Sequence, residues 1–171
     1  MIFRLANAAD APAVAALHAA SWRTAYAGLL DPQWIATALD GNRAAIWAGR
    51  LSDPDPSLRV ILAEDGDGLA GFCSLYLGAD PHWGSHVDNL HVRPNLKGAG
   101  LGRKLLAAAA DLALPVAPGL DLYVYSANTA ARAVYARLGG RETSEWEEDA
   151  PDGSRQMVWR VWWPDAKVLR P

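Results

Sequence analysis

The chain has 171 residues, 51% of them hydrophobic and 20% charged, which suits one globular domain with a core of ordinary size. A net charge of −3 gives no footing for nucleic-acid binding, and no apolar run is long enough to cross a membrane. A single cysteine, Cys73, excludes an internal disulfide framework and fits a reducing compartment, so a cytoplasmic location is expected.

The first residues lack a signal-peptide layout, and residues 2–5 read as a short strand. Asp10 is the expected N-cap of a helix that has Pro12 in its first turn and runs to about Ala27. Asp31-Pro32 repeats that start signal for a short helix through Leu39. Asn42–Leu51 forms a third helical piece, stopped by Asp53-Pro54-Asp55-Pro56. Leu58–Ala63 and Leu69–Leu77 flank the acidic glycine turn Glu64-Asp65-Gly66-Asp67-Gly68, a hairpin pattern. Residues 80–84 read as a loop and His86–Val92 as a strand.

A helix over about residues 101–114 follows, broken at Pro115 and Pro118, and Leu120–Tyr125 alternates as a strand. Asn128 or Thr129 starts another helix, which Gly139 ends. Arg141–Glu147 and Arg155–Trp163, joined by Asp149-Ala150-Pro151-Asp152-Gly153, make a closing hairpin. Hairpins at both ends of a strand–helix–strand–helix centre imply an α/β (α+β) domain over residues 1–171. Its sheet is mixed, mostly antiparallel, with about seven strands flanked by helices.

The most informative segment runs from Leu90 to Leu106. An alternating strand enters a turn with Gly98, Gly100 and Gly102 at every second position, and a Leu/Ala-rich helix begins at once. Such a junction exposes backbone N–H groups at the positive end of a helix, and glycines let a phosphate approach them. A dinucleotide fingerprint fails in both registers, because Arg103 or Leu105 stands where its third glycine belongs. A Walker A loop fails as well, since Gly98 is followed at its spacing by Arg103-Lys104-Leu105.

What remains, Lys97-x-x-Gly100-x-Gly102 after Val92-Arg93-Pro94, resembles the pyrophosphate-binding motif of the GNAT N-acetyltransferases. That family usually carries Arg or Gln where Lys97 stands. A second motif agrees. Asn128, Ala131, Tyr135 and Gly139 match the family's strand-then-Asn pattern, although Gly139-Gly140 replaces its usual Gly-Phe.

The resemblance implies acetyl-coenzyme A as cosubstrate, bound at the strand–glycine loop–helix junction. Lys97, Gly98, Ala99, Gly100, Gly102, Arg103, Asn128 and Tyr135 are the implied contacts, with Leu90 and Val92 contributing backbone groups to the pantetheine arm. It also implies direct transfer of the acetyl group to a primary amine in a ternary complex. Tyr135 would be the acid that protonates the leaving thiolate, a task suited to a phenol of pKa about 10.

The family often has a Glu six residues before the Val92 position, where this chain has His86. Asp88 is two residues on and shares its strand face, so either side chain is a candidate base. By the same counting His91 points to the opposite face. Cys73, with no basic neighbour in sequence, reads as a buried structural thiol. His82 and His86 lack a third ligand, so no metal is expected.

The acceptor, a small-molecule or peptide amine, is not named by the sequence. Trp22 and Tyr26, four apart on one helix face, line a pocket or fill the core. Trp159, Trp162 and Trp163 exceed what one strand face can bury, and an apolar patch there would suit a homodimer. The alternative to an enzyme is a catalytically weak acyl-coenzyme A-binding sensor or partner protein on the same fold.

Overall fold

Seven strands line up in the order β1-β2-β3-β4-β5-β7-β6, and every neighbouring pair is antiparallel except β4 and β5. They are β1 (Ile2–Leu5), β2 (Leu58–Asp65), β3 (Gly68–Asp80), β4 (Gly84–Val92), β5 (Leu120–Tyr125), β6 (Arg141–Asp149) and β7 (Arg155–Trp163). The helices are α1 (Ala11–Ala25), α2 (Pro32–Thr37), α3 (Leu39–Ser52), α4 (Leu101–Ala113) and α5 (Thr129–Arg137). These coordinates are a computed structural model and describe residues 1–170. The mixed, mostly antiparallel sheet is the one the sequence implied.

The two sheet faces have separate cores. On one face Leu101, Leu105, Leu106 and Ala109 of α4 pack on Cys73, Leu75, Val87, Leu120 and Leu122, with Ala131, Tyr135 and Leu138 closing the layer. Fully burying one such leucine contributes about 1.5–3 kcal/mol. On the other face Val14 and Leu17 of α1 and Trp47 of α3 pack on Leu58, Val60, Leu62 and Phe72.

Several boundaries differ from the sequence reading. Asp10 precedes α1 but does not cap it; its carboxylate accepts from the Asn7 N–H (2.8 Å) and from Arg4 (2.7 and 2.8 Å). Asn7 supplies the N-terminal cap, bonding the Ala9 N–H at 2.9 Å. α1 ends at Ala25, α2 ends at Thr37, and α3 starts at Leu39. β3 and β4 extend through Asp80 and from Gly84, which leaves only residues 81–83 as the turn.

Two features of β4 position the site. Its pairing with β3 slips between Ser74 and Leu75, which face Asn89 and Val87, so Asp88 is an extra residue in a β-bulge. Its pairing with β5 covers only Ser85–Leu120, His86–Asp121 and Val87–Leu122. Gly84, at φ +90°, pins the start of that short ladder, because Gly119 O lies 2.0 Å from where a Cβ would stand. Beyond Val87 the two parallel strands no longer pair.

Candidate active site

The unpaired edges of β4 and β5 lead to the glycine turn. Gly98 and Gly100 adopt φ of +83° and +81°, which L side chains rarely adopt, and a Cβ on either would meet nothing within 4 Å. Gly100 stands at the N-cap position just before α4, and no side chain caps that end. The first amides of a helix have no partner inside it, so a bare, positively polarised end faces open space. Lys97, Gly98, Ala99, Gly100, Arg103 and Lys104 are exposed around it. These residues surround a helix end of the kind that binds anions.

Leu90 and Val92 pack their side chains against the α4 core, and their backbone lies along the edge of β4 that β5 does not pair. His86 and Asp88 both leave the face opposite α4, but their partners differ. His86 Nδ1 is 2.8 Å from Asp121 Oδ1, and its ring lies 4.4 Å from that of Tyr123. Asp121 is buried and also sits 3.0 Å from Arg160 Nε, an ion pair by distance without the alignment of a hydrogen bond. His86 Nε2 has no hydrogen-bond partner among the described residues. Asp88 Oδ2 accepts from Arg50 Nη1 at 2.6 Å, from Asn89 Nδ2 and, at 3.5 Å, from Ser74 Oγ, while Oδ1 has no partner among the described residues.

His91 is a correction to the sequence reading. The bulge at Asp88 shifts the strand parity, so Leu90 and Val92 join Val87 on the α4 face and His91 points to α1 instead. Its Nδ1 is 3.0 Å from Ser21 Oγ, and its ring lies 4.4 Å from that of His18. Burial, together with Lys97 and Arg43, pushes its pKa down to about 3. His18 is also held neutral by burial and by its charged neighbours, and its Nδ1 accepts from Trp47 Nε1 at 2.9 Å.

Tyr135 lies on the α4 side, edge-on to Trp163 with ring centres 6.0 Å apart. Burial pushes its hydroxyl well above the usual phenol range, so it holds its proton at neutral pH. Asn128 caps α5, accepting from the Ala131 N–H at 3.2 Å. Tyr26 and Tyr125, with ring centres 5.1 Å apart, flank the open end of β5. Burial raises Tyr26 to about 12 against the opposing pull of Asn128. Cys73 is fully buried and its thiol is pushed up by desolvation, which fits a structural role.

The sequence reading missed Asp121, Arg160 and Arg43. Asp121 alone left a signal, as a carboxylate at an inner position of the alternation Leu120–Tyr125, but its partner is set by the β4–β5 register. The apolar patch expected from Trp159, Trp162 and Trp163 does not form. Trp163 is buried and donates to Leu138 O at 2.9 Å, Trp162 stacks with His82, and Arg132 covers Trp159. These rings therefore supply no argument for a homodimer. Trp163 also explains the Gly139-Gly140 departure, since its indole stands 2.8 Å from where a Gly140 Cβ would be.

An open gap between two parallel strands, ending at a glycine cradle on a helix N-terminus, is the site of a protein that grips an extended phosphorylated ligand. The chain belongs to the acetyltransferase (GNAT) family, whose model matches residues 17–140. It is 38% identical over 133 residues to a mycothiol acetyltransferase of Kineococcus radiotolerans, a match covering 77% of this chain and 39% of that protein. It is 31% identical over 112 residues to a streptothricin acetyltransferase of Streptomyces lavendulae, covering 61% of this chain and 57% of the relative. The chain thus spans between two fifths and three fifths of these curated relatives. Among solved structures, the PaiA N-acetyltransferase of Thermoplasma acidophilum in complex with coenzyme A shares the fold. Its TM-score is 0.71 at 17% identity, over 94% of this chain and 98% of that one.

Proposed function

We propose that this chain moves an acetyl group from acetyl-coenzyme A to a primary amine by direct attack within a ternary complex. The observation that carries this reading is the β4–β5 gap ending at the Gly98–Gly102 cradle, which fits a pantetheine arm and a pyrophosphate in that order. The structural neighbour in complex with coenzyme A and the relatives named as acetyltransferases support it. When bound, the coenzyme supplies a thioester, whose carbonyl carbon accepts the amine and whose sulfur departs.

Around that exchange, the chain's own groups handle protons and charge. Lys97, Arg103 and the free amides of the turn from Gly98 to Gly102 hold the phosphates, the Ala99 N–H being taken by Leu96 O. A free N–H on the unpaired edge of β4 donates to the carbonyl oxygen as it gains charge. His86, oriented by Asp121, takes a proton from the amine, which needs its lone pair to attack. Tyr135 gives its proton to the departing thiolate. The C–N bond forms as the C–S bond breaks, the products are an N-acetylated amine and free coenzyme A, and His86 and Tyr135 recover their states by exchange with water.

The test is turnover with acetyl-coenzyme A and a broad amine panel, read as thiol release, in the original chain and in Tyr135→Phe. Loss of a positioned general acid lowers turnover by about 10²-fold or more. Full turnover in Tyr135→Phe would return Tyr135 to a packing role. Tight coenzyme binding with no thiol release across the panel would favour the sensor reading, for which the engagement of Asp88 by Arg50 speaks.

A further inference from the structure

The face of the gap opposite α4 holds a buried cation with no counter-ion. Arg43 of α3 is only 6% exposed, and its guanidinium lies 4.3 Å over the ring of Trp22. Its hydrogen bonds go to one neutral atom, Asn42 Oδ1, from Nε at 3.0 Å and from Nη2. Among the described residues it makes no ion pair, and Nη1 donates to nothing.

The surroundings sharpen the imbalance. Arg50, two turns further along α3, is spent on Asp88. The two imidazoles of this face, His18 and His91, are neutral at physiological pH. Tyr26, Tyr125 and Asp88 are near enough to act on the Arg43 charge, and they flank the end of β5 and the bulge of β4. Two guanidiniums against one carboxylate leave one positive charge over, next to the place where an acceptor must meet the thioester. A buried charge is ordinarily paired.

Resting on the acetyltransferase reading above, we propose that the acceptor is an amine that also bears a carboxylate, and that Arg43 binds this carboxylate. Asn42 occupies the Nε–Nη2 edge, so the Nη1–Nη2 end remains, and its two parallel N–H groups match the two oxygens of a carboxylate. One spare positive charge balances one carboxylate, whereas a doubly charged phosphate would leave a negative surplus beside Asp88. Trp22 fixes the guanidinium plane, which makes the edge a rigid receptor.

The test compares the common L-amino acids with their carboxamides as acceptors, in the original chain, Arg43→Gln and Arg43→Lys. The original chain should prefer the best acid over its amide by about tenfold or more in kcat/KM. Arg43→Gln should collapse that ratio toward one, chiefly through KM, and Arg43→Lys should restore part of it. Acetyl-coenzyme A affinity should hold in both variants, which also reports that they fold. Equal use of acids and amides by the original chain would overturn the proposal, as would loss of coenzyme affinity in Arg43→Gln, which would assign Arg43 to the coenzyme. Binding of the same compounds to the coenzyme A-loaded protein, by calorimetry, reads the preference without turnover. Discrimination there with no thiol release would defeat the enzyme reading and leave Arg43 as the carboxylate site; no discrimination would defeat the proposal itself.

Discussion

At the scale of single residues, the proposed base His86 and its buried partner Asp121 make the first prediction. In the mechanism proposed above Asp121 touches no reacting atom and holds the His86 imidazole to one tautomer and one orientation. Asp121→Asn should therefore lower kcat by about ten- to a hundredfold with little change in KM. The sharper readout is non-additivity: in the His86→Ala background the Asp121 change should cost almost nothing more. Independent, additive losses would mean that Asp121 acts through the fold.

The buried imidazoles His18 and His91 make a second residue-scale prediction. Their folded pKa values lie below the unfolded value of about 6.5, so between that pH and the folded pKa the unfolded chain binds more protons. Stability is full above about pH 6.5 and falls as pH drops, by up to about 1.4 kcal/mol per pH unit for each ring. Urea midpoints between about pH 6.5 and 5.5, above most of the carboxylate range, should show this slope, and His91→Asn should reduce it. A flat profile would contradict the neutral pair. His91 also marks where residue-level reading of the sequence failed. Alternation assigns faces only while the ladder is regular, and nothing in Val87-Asp88-Asn89-Leu90 announces a bulge. The left-handed glycines of the turn and the Asn128 cap follow from local spacing; the Asp121–His86 contact and the burial of Arg43 do not, because their partners come from distant elements.

At the scale of elements, close approaches of backbone decide what each junction tolerates. A Cβ on Gly140 would meet Val161 Cγ1 at 2.6 Å and the Trp163 indole at 2.8 Å, so Gly140→Ala should cost about 1–3 kcal/mol by denaturant unfolding. Gly84→Ala should cost more, because it meets the Gly119 carbonyl and requires a left-handed conformation. If Gly84→Ala folds with unchanged stability, the short β4–β5 ladder is not pinned there. Helix and strand existence was readable from period and caps, and the ends were not. Asp10 carries the cap signal, yet Arg4 and Asn7 draw its carboxylate away from α1. β3 and β4 outrun their apolar patterns because their last residues are held by pairing with each other.

At the scale of the whole molecule, charge is unevenly placed. The net charge is −3, yet Lys97, Arg103 and Lys104 stand exposed at the cradle without ion pairs among the described residues. Acidic side chains instead collect on β6 and the turn after it, where Asp152 accepts from the Asp31 N–H at 2.7 Å and Gln156 donates to Leu29 O at 3.3 Å. Coenzyme affinity should fall as salt rises through the physiological range, and Lys97→Ala should weaken both the affinity and its salt dependence. A calorimetric titration insensitive to salt would leave the backbone amides as the sole phosphate contacts.

The three-pair ladder between β4 and β5 has a mechanical consequence. It makes the sheet two plates, β1–β4 and β5–β7, joined along one short seam and bridged by α4. A ligand arm lying in the gap stands in for the absent strand, and so stiffens the seam along its length. Those amide hydrogens of residues 88–92 and 123–125 that point into the gap, and not to β3 or β7, should exchange quickly in the free chain and slow on adding coenzyme A, while those of β2 and β3 stay slow throughout. The fold would thus report its own occupancy through the seam, by which strands breathe and which do not.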